Sequence, residues 1–379
     1  MKIGIVSYWF NRGQGTIGRY IRSIFDENGY ETFVLARPTK NNFYLPEFIE
    51  KNDVWNQSNV THASVYNIPL EEYISWVKNN NIDIVFCDQN YQFKEIEKIK
   101  RLGIKTIGRF VWESFGQKHV ESAKQAFDII YSLTRSEQKR YAEWGIDSAW
   151  IPWGCHPELI SVPTERKKDL VYFFYPAGYL SKRKPTGAVI EAFKRVKSPN
   201  LRLILKAQRL LQKNDLIRPS NQADLKRPRQ FYSNNIDKLV DLDDLDKRIM
   251  VITEDLSTKN YYKLFSSCHV CLAPSRWEGL GLHLYEATAF GIPIITNDIP
   301  PMNEIVQDRY NGLLVKSYSI GCTKSGLGSY EPDVEALSRA IRDISDHGII
   351  EELSRNTRKL VQVLSWDKTV SHFIKLLQL

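Results

Sequence analysis

Two glutamates, Glu278 and Glu286, have the residue type and spacing to bind a ligand, because seven residues separate them in a glycine-containing stretch. The apolar run 269–273 before them is typical of a buried parallel strand. A helix-forming run follows Gly281 and ends at Gly291. A strand, a glycine turn and a helix in this order favour phosphate binding, because backbone N–H groups and the positive end of the helix dipole point toward an anion.

The two carboxylates narrow the chemistry of the expected ligand. A carboxylate beside a phosphate site is electrostatically unfavourable unless it accepts hydrogen bonds from ligand hydroxyls. With Glu278 in the loop and Glu286 inside the helix, a ligand with sugar hydroxyls next to a diphosphate satisfies both groups. The pattern therefore predicts a nucleotide-sugar site. The alternative is that Glu286 is a solvent-exposed helix residue and that Gly279 and Gly281 form an ordinary turn.

The segment 274–293 resembles the Glu-x7-Glu signature of the retaining glycosyltransferases of GT-B fold, in the large family 4 group. This resemblance implies that Glu278 and the Gly-x-Gly amides hold the transferred sugar, and that Glu286 binds the ribose hydroxyls. It also implies retention of the anomeric configuration and no need for a metal ion or other cofactor. The donor substrate would be a UDP-, GDP- or other NDP-sugar. The implied donor-binding residues of this segment are Glu278, Gly279, Leu280, Gly281, Leu282 and Glu286.

A basic turn in the stretch 177–185 resembles the two cations with which this family clamps the diphosphate. Lys184 matches the family's lysine, whereas Tyr179 stands where the arginine is expected, so Arg183 or Lys182 would supply that charge. Cations fixed beside a leaving diphosphate lower the barrier, because negative charge develops there as the sugar bond breaks. The alternative is a basic turn exposed to water. The predicted catalytic residues are thus Glu278, Arg183 and Lys184, and Gly178 joins the predicted donor-binding residues.

The loop after the first strand resembles the family's Gly-Gly-x-Gly-Arg-Tyr loop at residues 15–20. Thr16 replaces the second glycine of that loop. Glycine at this place lets the main chain approach a ligand closely, so the resemblance adds Gly15 and Thr16 to the donor-binding candidates. Arg12, just before the loop, is a candidate contact for an anionic acceptor or a solvated surface arginine.

The stretch 109–114 corresponds to the place where many relatives carry a histidine near the reactive sugar carbon, and it contains no histidine. Glu113 is instead a candidate carboxylate to orient the acceptor, with Arg109 as its candidate partner and Trp112 beside it. A helix-capping or buried, paired Glu113 is the alternative. The seven histidines of the chain form no convincing acid–base or metal-binding set.

The chain of 379 residues is long enough for two α/β domains, and 42% apolar with 25% charged residues is ordinary for a soluble globular protein. Short apolar strands alternate with helical stretches, and the alternation restarts after the polar segment 161–169. We expect a GT-B fold, with two Rossmann-like doubly wound domains facing a cleft. The predicted parts are an acceptor domain over 1–158, a nucleotide-sugar domain over 159–364, and a helix over 365–379 that crosses back to the first domain.

Two stretches, 210–244 and 317–332, do not follow the regular alternation. Long connections are either functional or irregular, and both stretches are expected to be solvated loops. The alternative is that either one is an insertion specific for the acceptor or for oligomer formation.

Charge and cysteine content limit the partners and the compartment. The net charge of +8 permits an anionic partner without identifying one. Five scattered cysteines suit a reducing compartment, and the first residues are typical of a strand rather than a signal peptide. We therefore expect a cytoplasmic enzyme, with possible peripheral contact to anionic lipid at the inner face of the membrane. Its acceptor would be a glycan, a lipid-linked glycan or a small molecule. The alternatives are a transferase acting on modified DNA and a catalytically silent nucleotide-sugar-binding subunit.

Overall fold

The computed structural model describes residues 1–39, 49–178, 181–208 and 245–379. Tyr179 and the stretch 210–244, on which sequence expectations were placed, lie outside the described residues. The chain divides into two compact units. Unit 1 comprises Met1–Gly154, Lys324–Leu327 and Ser365–Leu379, and unit 2 comprises Cys155–Thr323 and Gly328–Leu364.

Unit 1 is built on a seven-stranded parallel sheet. Its strands are β1 (Lys2–Tyr8), β2 (Glu31–Arg37), β3 (Val60–His62), β4 (Ile84–Asp88), β5 (Lys105–Arg109), β6 (Ile129–Ser132) and β7 (Ala149–Trp150). Helices α1 (Gly13–Glu27), α2 (Leu70–Asn80), α3 (Phe93–Lys100), α4 (Val120–Ala126) and α5 (Arg135–Glu143) connect them. The strand order β3-β2-β1-β4-β5-β6-β7 reverses direction between β1 and β4, as in a doubly wound fold. The central strands are buried over nearly their whole length, because helices cover both faces of such a sheet.

Unit 2 repeats this architecture around a six-stranded parallel sheet of order β10-β9-β8-β11-β12-β13. Its strands are β8 (Val171–Gly178), β9 (Leu201–Ala207), β10 (Ile249–Ile252), β11 (Val270–Leu272), β12 (Ile294–Asn297) and β13 (Gly312–Val315). Its helices are α6 (Pro157–Ile160), α7 (Thr186–Arg195), α8 (Thr258–Ser266), α9 (Leu282–Ala289), α10 (Met302–Ile305), α11 (Val334–Ile344) and α12 (His347–Val363). A core of apolar side chains from β8, β9, α7 and α11 packs against one face of the sheet. The two doubly wound sheets confirm the predicted α/β class.

The stretch 317–332 corrects one expectation, because it forms an antiparallel hairpin rather than a solvated loop. Its strands are β14 (Ser317–Cys322) and β15 (Gly328–Pro332). Glycine, serine and threonine dominate the stretch, and these residues favour loops when they are considered without their partners. Backbone hydrogen bonds between β14 and β15 stabilise the hairpin, and the residue types of the stretch do not indicate this pairing.

The last helix, α13 (Trp366–Leu376), belongs to unit 1. The Trp366 ring lies edge-on to Tyr20 at a centroid distance of 5.8 Å and to Trp153 at 5.1 Å. Phe373 packs edge-on against Phe25 at 6.2 Å. Across the described part of the chain, no helix has both the length and the apolar content needed to cross a membrane.

Candidate functional site

The loop that follows β11 is held at the carboxyl end of the unit 2 sheet by the neighbouring strand. Thr296 Oγ1 donates to Ala273 O at 2.9 Å, and Asn297 Nδ2 donates to Ser275 O at 3.0 Å. Thr296 and Asn297 end β12, so two adjacent parallel strands fix the start of the loop. The carboxyl ends of parallel strands are the usual place for a ligand in sheets of this kind.

Gly281 turns this loop into α9 through a left-handed conformation, with φ +75°. A Cβ at this position would lie 2.9 Å from Leu284 Cδ1 and 3.2 Å from Glu278 Cγ, so a larger residue is strained for two reasons. Among the residues that the structure describes, no side chain caps α9. The first-turn N–H groups of a helix without a side-chain cap are suited to hold an anion.

Glu278 is a buried carboxylate that two cations contact. Its side chain is 4% exposed, and it pairs with Arg183 and with Lys184, whose Nζ lies 3.2 Å from Glu278 Oε2. Lys184 Nζ also donates to Ser275 Oγ at 2.8 Å. Burial opposes ionisation of Glu278, but the charges of Arg183 and Lys184 outweigh it and hold the pKa of Glu278 well below its usual range. The carboxylate is therefore ionised at neutral pH, and two basic side chains lie against it.

The two cations reach Glu278 because one backbone and one side-chain hydrogen bond tie the turn between β8 and α7 to the glutamate loop. Gly178 ends β8 with φ +57°, a conformation that favours glycine. Arg276 N donates to Arg183 O at 2.9 Å, and Arg276 Nη1 donates to Lys182 O at 2.7 Å. Lys184 lies just before α7 and is buried, and this burial lowers its pKa while the charge of Glu278 opposes the shift. The predicted basic turn is thus not simply exposed to water.

Glu286 lies in the second turn of α9 and is 9% exposed, which overturns the alternative of a solvated helix residue. Tyr261 Oη donates to Glu286 Oε2 at 3.1 Å. Burial raises the pKa of Glu286 to about 7, against the effect of the Tyr261 hydrogen bond. A carboxyl group in this state accepts hydrogen bonds from ligand hydroxyls best above neutral pH.

Several residues of this site were not found by sequence reasoning. Arg276 forms an ion pair with Glu331 of β15, with Arg276 Nη2 3.0 Å from Glu331 Oε1, and Tyr330 N donates to Arg276 O. Ser275 and Tyr261 contact the predicted side chains Lys184 and Glu286 directly. The Pro-Ser dipeptide before the loop was the available signal for Ser275, whereas nothing local to Tyr261 or Glu331 indicates their partners.

In unit 1 the candidates Gly15 and Thr16 lie in the first turn of α1 rather than in a loop, which corrects the expected position. A Cβ on Gly15 would lie 2.2 Å from Phe10 O, so close packing of the helix on the preceding chain accounts for this glycine. Arg12 precedes α1, and its guanidinium lies 5.9 Å from the centre of the Phe10 ring.

The expected pairing of Arg109 with Glu113 is wrong. Arg109 is completely buried, and its Nη1 lies 3.0 Å from Asp88 Oδ1 instead. Trp112 is 6% exposed, and its N–H donates to Glu137 Oε1 at 3.3 Å. Burial raises the pKa of Asp88, although the charge of Arg109 opposes this effect. Arg109 therefore supports the end of the sheet from inside, and an acceptor contact from it has no support in these contacts.

A family comparison covers the part of the chain that holds the site. Residues 158–342 match the family model of the glycosyl transferases group 1. This range contains Arg183, Lys184, Glu278 and Glu286, together with the turns that position them. It also contains the hairpin that contacts Arg276.

Curated relatives match shorter segments of this chain than the family model does. The lipopolysaccharide core biosynthesis mannosyltransferase LpsB of Rhizobium meliloti (strain 1021) is 24% identical over 115 residues, which are 30% of this chain and 32% of that protein. The matches span between 20% and 32% of the lengths of the curated relatives.

Solved structures match along the whole chain. Sucrose-phosphate synthase (tll1590) from Thermosynechococcus elongatus superposes with a TM-score of 0.70 at 18% identity, covering 100% of this chain and 98% of that one. Anabaena Alr3699/HepE in complex with UDP and glucose gives a TM-score of 0.67 at 13% identity, covering 100% and 99%. At these identities the likeness concerns the fold, and with the two doubly wound sheets it confirms the GT-B class.

Proposed function

We propose that this protein is a retaining glycosyltransferase that moves a sugar from a nucleoside diphosphate sugar to a hydroxyl of a glycan, a lipid-linked glycan or a small molecule. The observation that carries the proposal is the buried, ionised Glu278 held by Arg183 and Lys184 beside the uncapped start of α9. The match of residues 158–342 to the glycosyl transferases group 1 supports it.

The two basic side chains beside Glu278 are suited to a leaving diphosphate. As the bond between the anomeric carbon and the phosphate oxygen breaks, negative charge grows on that oxygen, and Arg183 and Lys184 are already fixed nearby. Glu278 accepts hydrogen bonds from hydroxyls of the transferred sugar. The bound donor therefore replaces some of the contacts that Glu278 makes with Arg183 and Lys184. We propose that these two cations supply the positive charge without a metal ion.

In this proposal Glu286 binds the ribose hydroxyls of the nucleotide. Its carboxyl group accepts one hydrogen bond from Tyr261 and has a second oxygen for ligand hydroxyls. A UDP-sugar is the first donor to test, because the Anabaena protein of similar fold is described in complex with UDP and with UDP-glucose.

The proposed reaction occurs on one face of the sugar. The bond from the anomeric carbon to the phosphate oxygen breaks, and the bond from that carbon to the acceptor oxygen forms on the same face. The acceptor proton passes to the leaving phosphate oxygen. Glu278 is unsuited as a nucleophile, because its carboxylate is engaged by two cations that reduce its electron density. Retention then follows from the front-face geometry rather than from a covalent intermediate.

The decisive experiment measures nucleotide release from UDP-, GDP-, ADP- and dTDP-sugars by the wild type, Glu278→Gln and Glu286→Ala. Glu351→Ala, at an exposed position of α12, is the matched control. We expect slow hydrolysis of one donor by the wild type and the control, and loss of this activity in both site variants. Absence of hydrolysis for every donor, together with no donor-dependent rise in melting temperature, would instead favour the silent nucleotide-sugar-binding subunit or contradict the site altogether.

A further inference from the structure

A side-chain hydrogen bond joins Tyr261 of α8 to Glu286 of α9. Tyr261 Oη donates to Oε2 of Glu286, and no described residue donates a hydrogen bond to Oε1 of the same carboxyl group. One oxygen is thus occupied by the protein, and the other is left for a ligand.

The position of Tyr261 is fixed by its surroundings. Its ring lies edge-on to Phe174 of β8 at a centroid distance of 6.0 Å and to Phe265 of α8 at 6.2 Å, while Phe174 and Phe265 stack at 4.1 Å. Ser257 caps α8 by accepting a hydrogen bond from Asn260 N. The ring of Tyr261 is therefore held by aromatic contacts within α8 and with β8, and these contacts fix its hydroxyl beside Glu286.

We propose that Tyr261 is a positioning residue for nucleotide binding, which by donating to Oε2 directs Oε1 of Glu286 toward the ribose hydroxyls and favours its ionised form. This inference rests on the proposed function, because it assigns a role within the same donor site. Tyr261 itself does not touch the sugar or the reacting atoms.

The electrostatics of Glu286 give this role a measurable consequence. Burial raises the pKa of Glu286 to about 7, and the Tyr261 hydrogen bond works in the opposite direction. The neighbouring Tyr261 and Cys271 both have pKa values raised by burial, so both stay neutral while Glu286 titrates. The charged residues on the other helices packed against α9 include Glu158 of α6, Glu304 of α10 and Arg358 of α12. Nucleotide affinity should therefore rise as the pH increases through about 7.

The test compares equilibrium binding of UDP and 2′-deoxy-UDP, with GDP and 2′-deoxy-GDP in parallel, between pH 6 and 9 on the intact chain. Tyr261→Phe should weaken binding of the ribonucleotide by about tenfold at neutral pH. It should also move the pH midpoint upward and reduce the preference for the ribonucleotide over its deoxy form. Tyr262→Phe, on the next residue of the same helix, is the matched control and should keep the wild-type profile.

Glu286→Gln separates positioning from general stability, because an amide cannot ionise. Binding by this variant should lack the rise that ionisation of Glu286 gives the wild type, and adding Tyr261→Phe should weaken it much less than in the wild-type background. If nucleotides bind the wild type but Tyr261→Phe leaves affinity, pH midpoint and deoxy preference unchanged, the positioning role is refuted and the proposed function stands. If neither nucleotide binds the wild type although the donor panel shows hydrolysis of a UDP- or GDP-sugar, this inference is refuted and the proposed function stands. If neither binds and no sugar of the donor panel is hydrolysed, both are refuted.

Discussion

Lys184 Nζ lies 3.2 Å from Glu278 Oε2, although 94 positions separate these residues in the chain. Their side chains are 3% and 4% exposed. Each residue lies in a different strand-to-helix connection of the unit 2 sheet, so the pair joins the turn after β8 to the loop after β11. Two buried charges are costly unless they remain paired. The stability of the two connections therefore depends on the charges of Lys184 and Glu278.

Removal of Lys184 should destabilise unit 2. Lys184→Met keeps most of the side-chain volume but takes one cation away from a buried carboxylate, and breaking a buried pair costs about 3 kcal/mol. Urea unfolding, followed with and without a UDP-sugar, measures the change in the free energy of unfolding. Lys197→Met, at an exposed position after α7, is the control and should change it by less than about 0.5 kcal/mol. Equal stability of the two variants would show that the Lys184–Glu278 pair contributes nothing to the fold.

Gly281→Ala should destabilise the protein because of the left-handed backbone and the close contacts with Leu284 and Glu278. We expect a loss of about 1–3 kcal/mol. Gly187→Ala is the informative control, since a Cβ there meets no atom of the described residues within 4 Å and Gly187 lies inside α7. That change should stabilise by about 0.5–1 kcal/mol. Thermal unfolding measures the change in stability of both variants, which should be a loss for Gly281→Ala and a gain for Gly187→Ala. A stabilised Gly281→Ala would disprove the strain argument.

The local sequence was sufficient to predict the position of the glutamate loop. It was insufficient to predict the contacts that other elements make with this loop. An apolar strand, a glycine turn and a helix leave a pattern within about twenty residues, so the placement of Glu278 and Glu286 followed from spacing. Tyr261 reaches Glu286 across 25 residues and Glu331 reaches Arg276 across 55, and such pairs depend on strand order that the sequence does not display. The GT-B fold was predicted and is confirmed, whereas the catalytic and binding roles of these residues stay predictions.

Glu286 should make the stability of unit 2 depend on pH. Burial raises its pKa from 4.5 to about 7, so the folded state holds its proton more tightly than the unfolded state. This contribution is complete below the unfolded pKa and is lost as the pH rises through about 7, by about 3 kcal/mol in total. Glu286→Gln removes the titration, so its stability relative to the wild type should improve from pH 5 to pH 8. Urea unfolding at both values tests this, and a difference that stays constant with pH would count against a raised pKa.

The hairpin of β14 and β15 should hold the glutamate loop through Glu331. Its ion pair with Arg276 and the hydrogen bond from Tyr330 N to Arg276 O tie β15 to the residue two positions before Glu278. Glu331→Gln should increase amide hydrogen exchange in the loop 274–281 without unfolding the β11 strand. Glu335→Gln, on a side chain 55% exposed in α11, provides the control. Unchanged exchange in the loop would show that the backbone hydrogen bonds alone fix its position.

Glu137 should govern the order of the segment that contains Trp112 in unit 1. The glutamate is fully buried at the start of α5, and its two carboxyl oxygens accept hydrogen bonds from Trp112 N and Leu133 N, each at 3.3 Å. Glu137→Gln keeps the shape but offers one accepting oxygen, so one buried N–H loses its partner at a cost of about 1–3 kcal/mol. Glu143→Gln, at an exposed position of the same helix, is the matched control. Hydrogen exchange distinguishes the two amides: protection should fall at Trp112 or Leu133 and stay unchanged in α13. Full protection of both amides in Glu137→Gln would mean that the surrounding packing, and not the carboxylate, orders this segment.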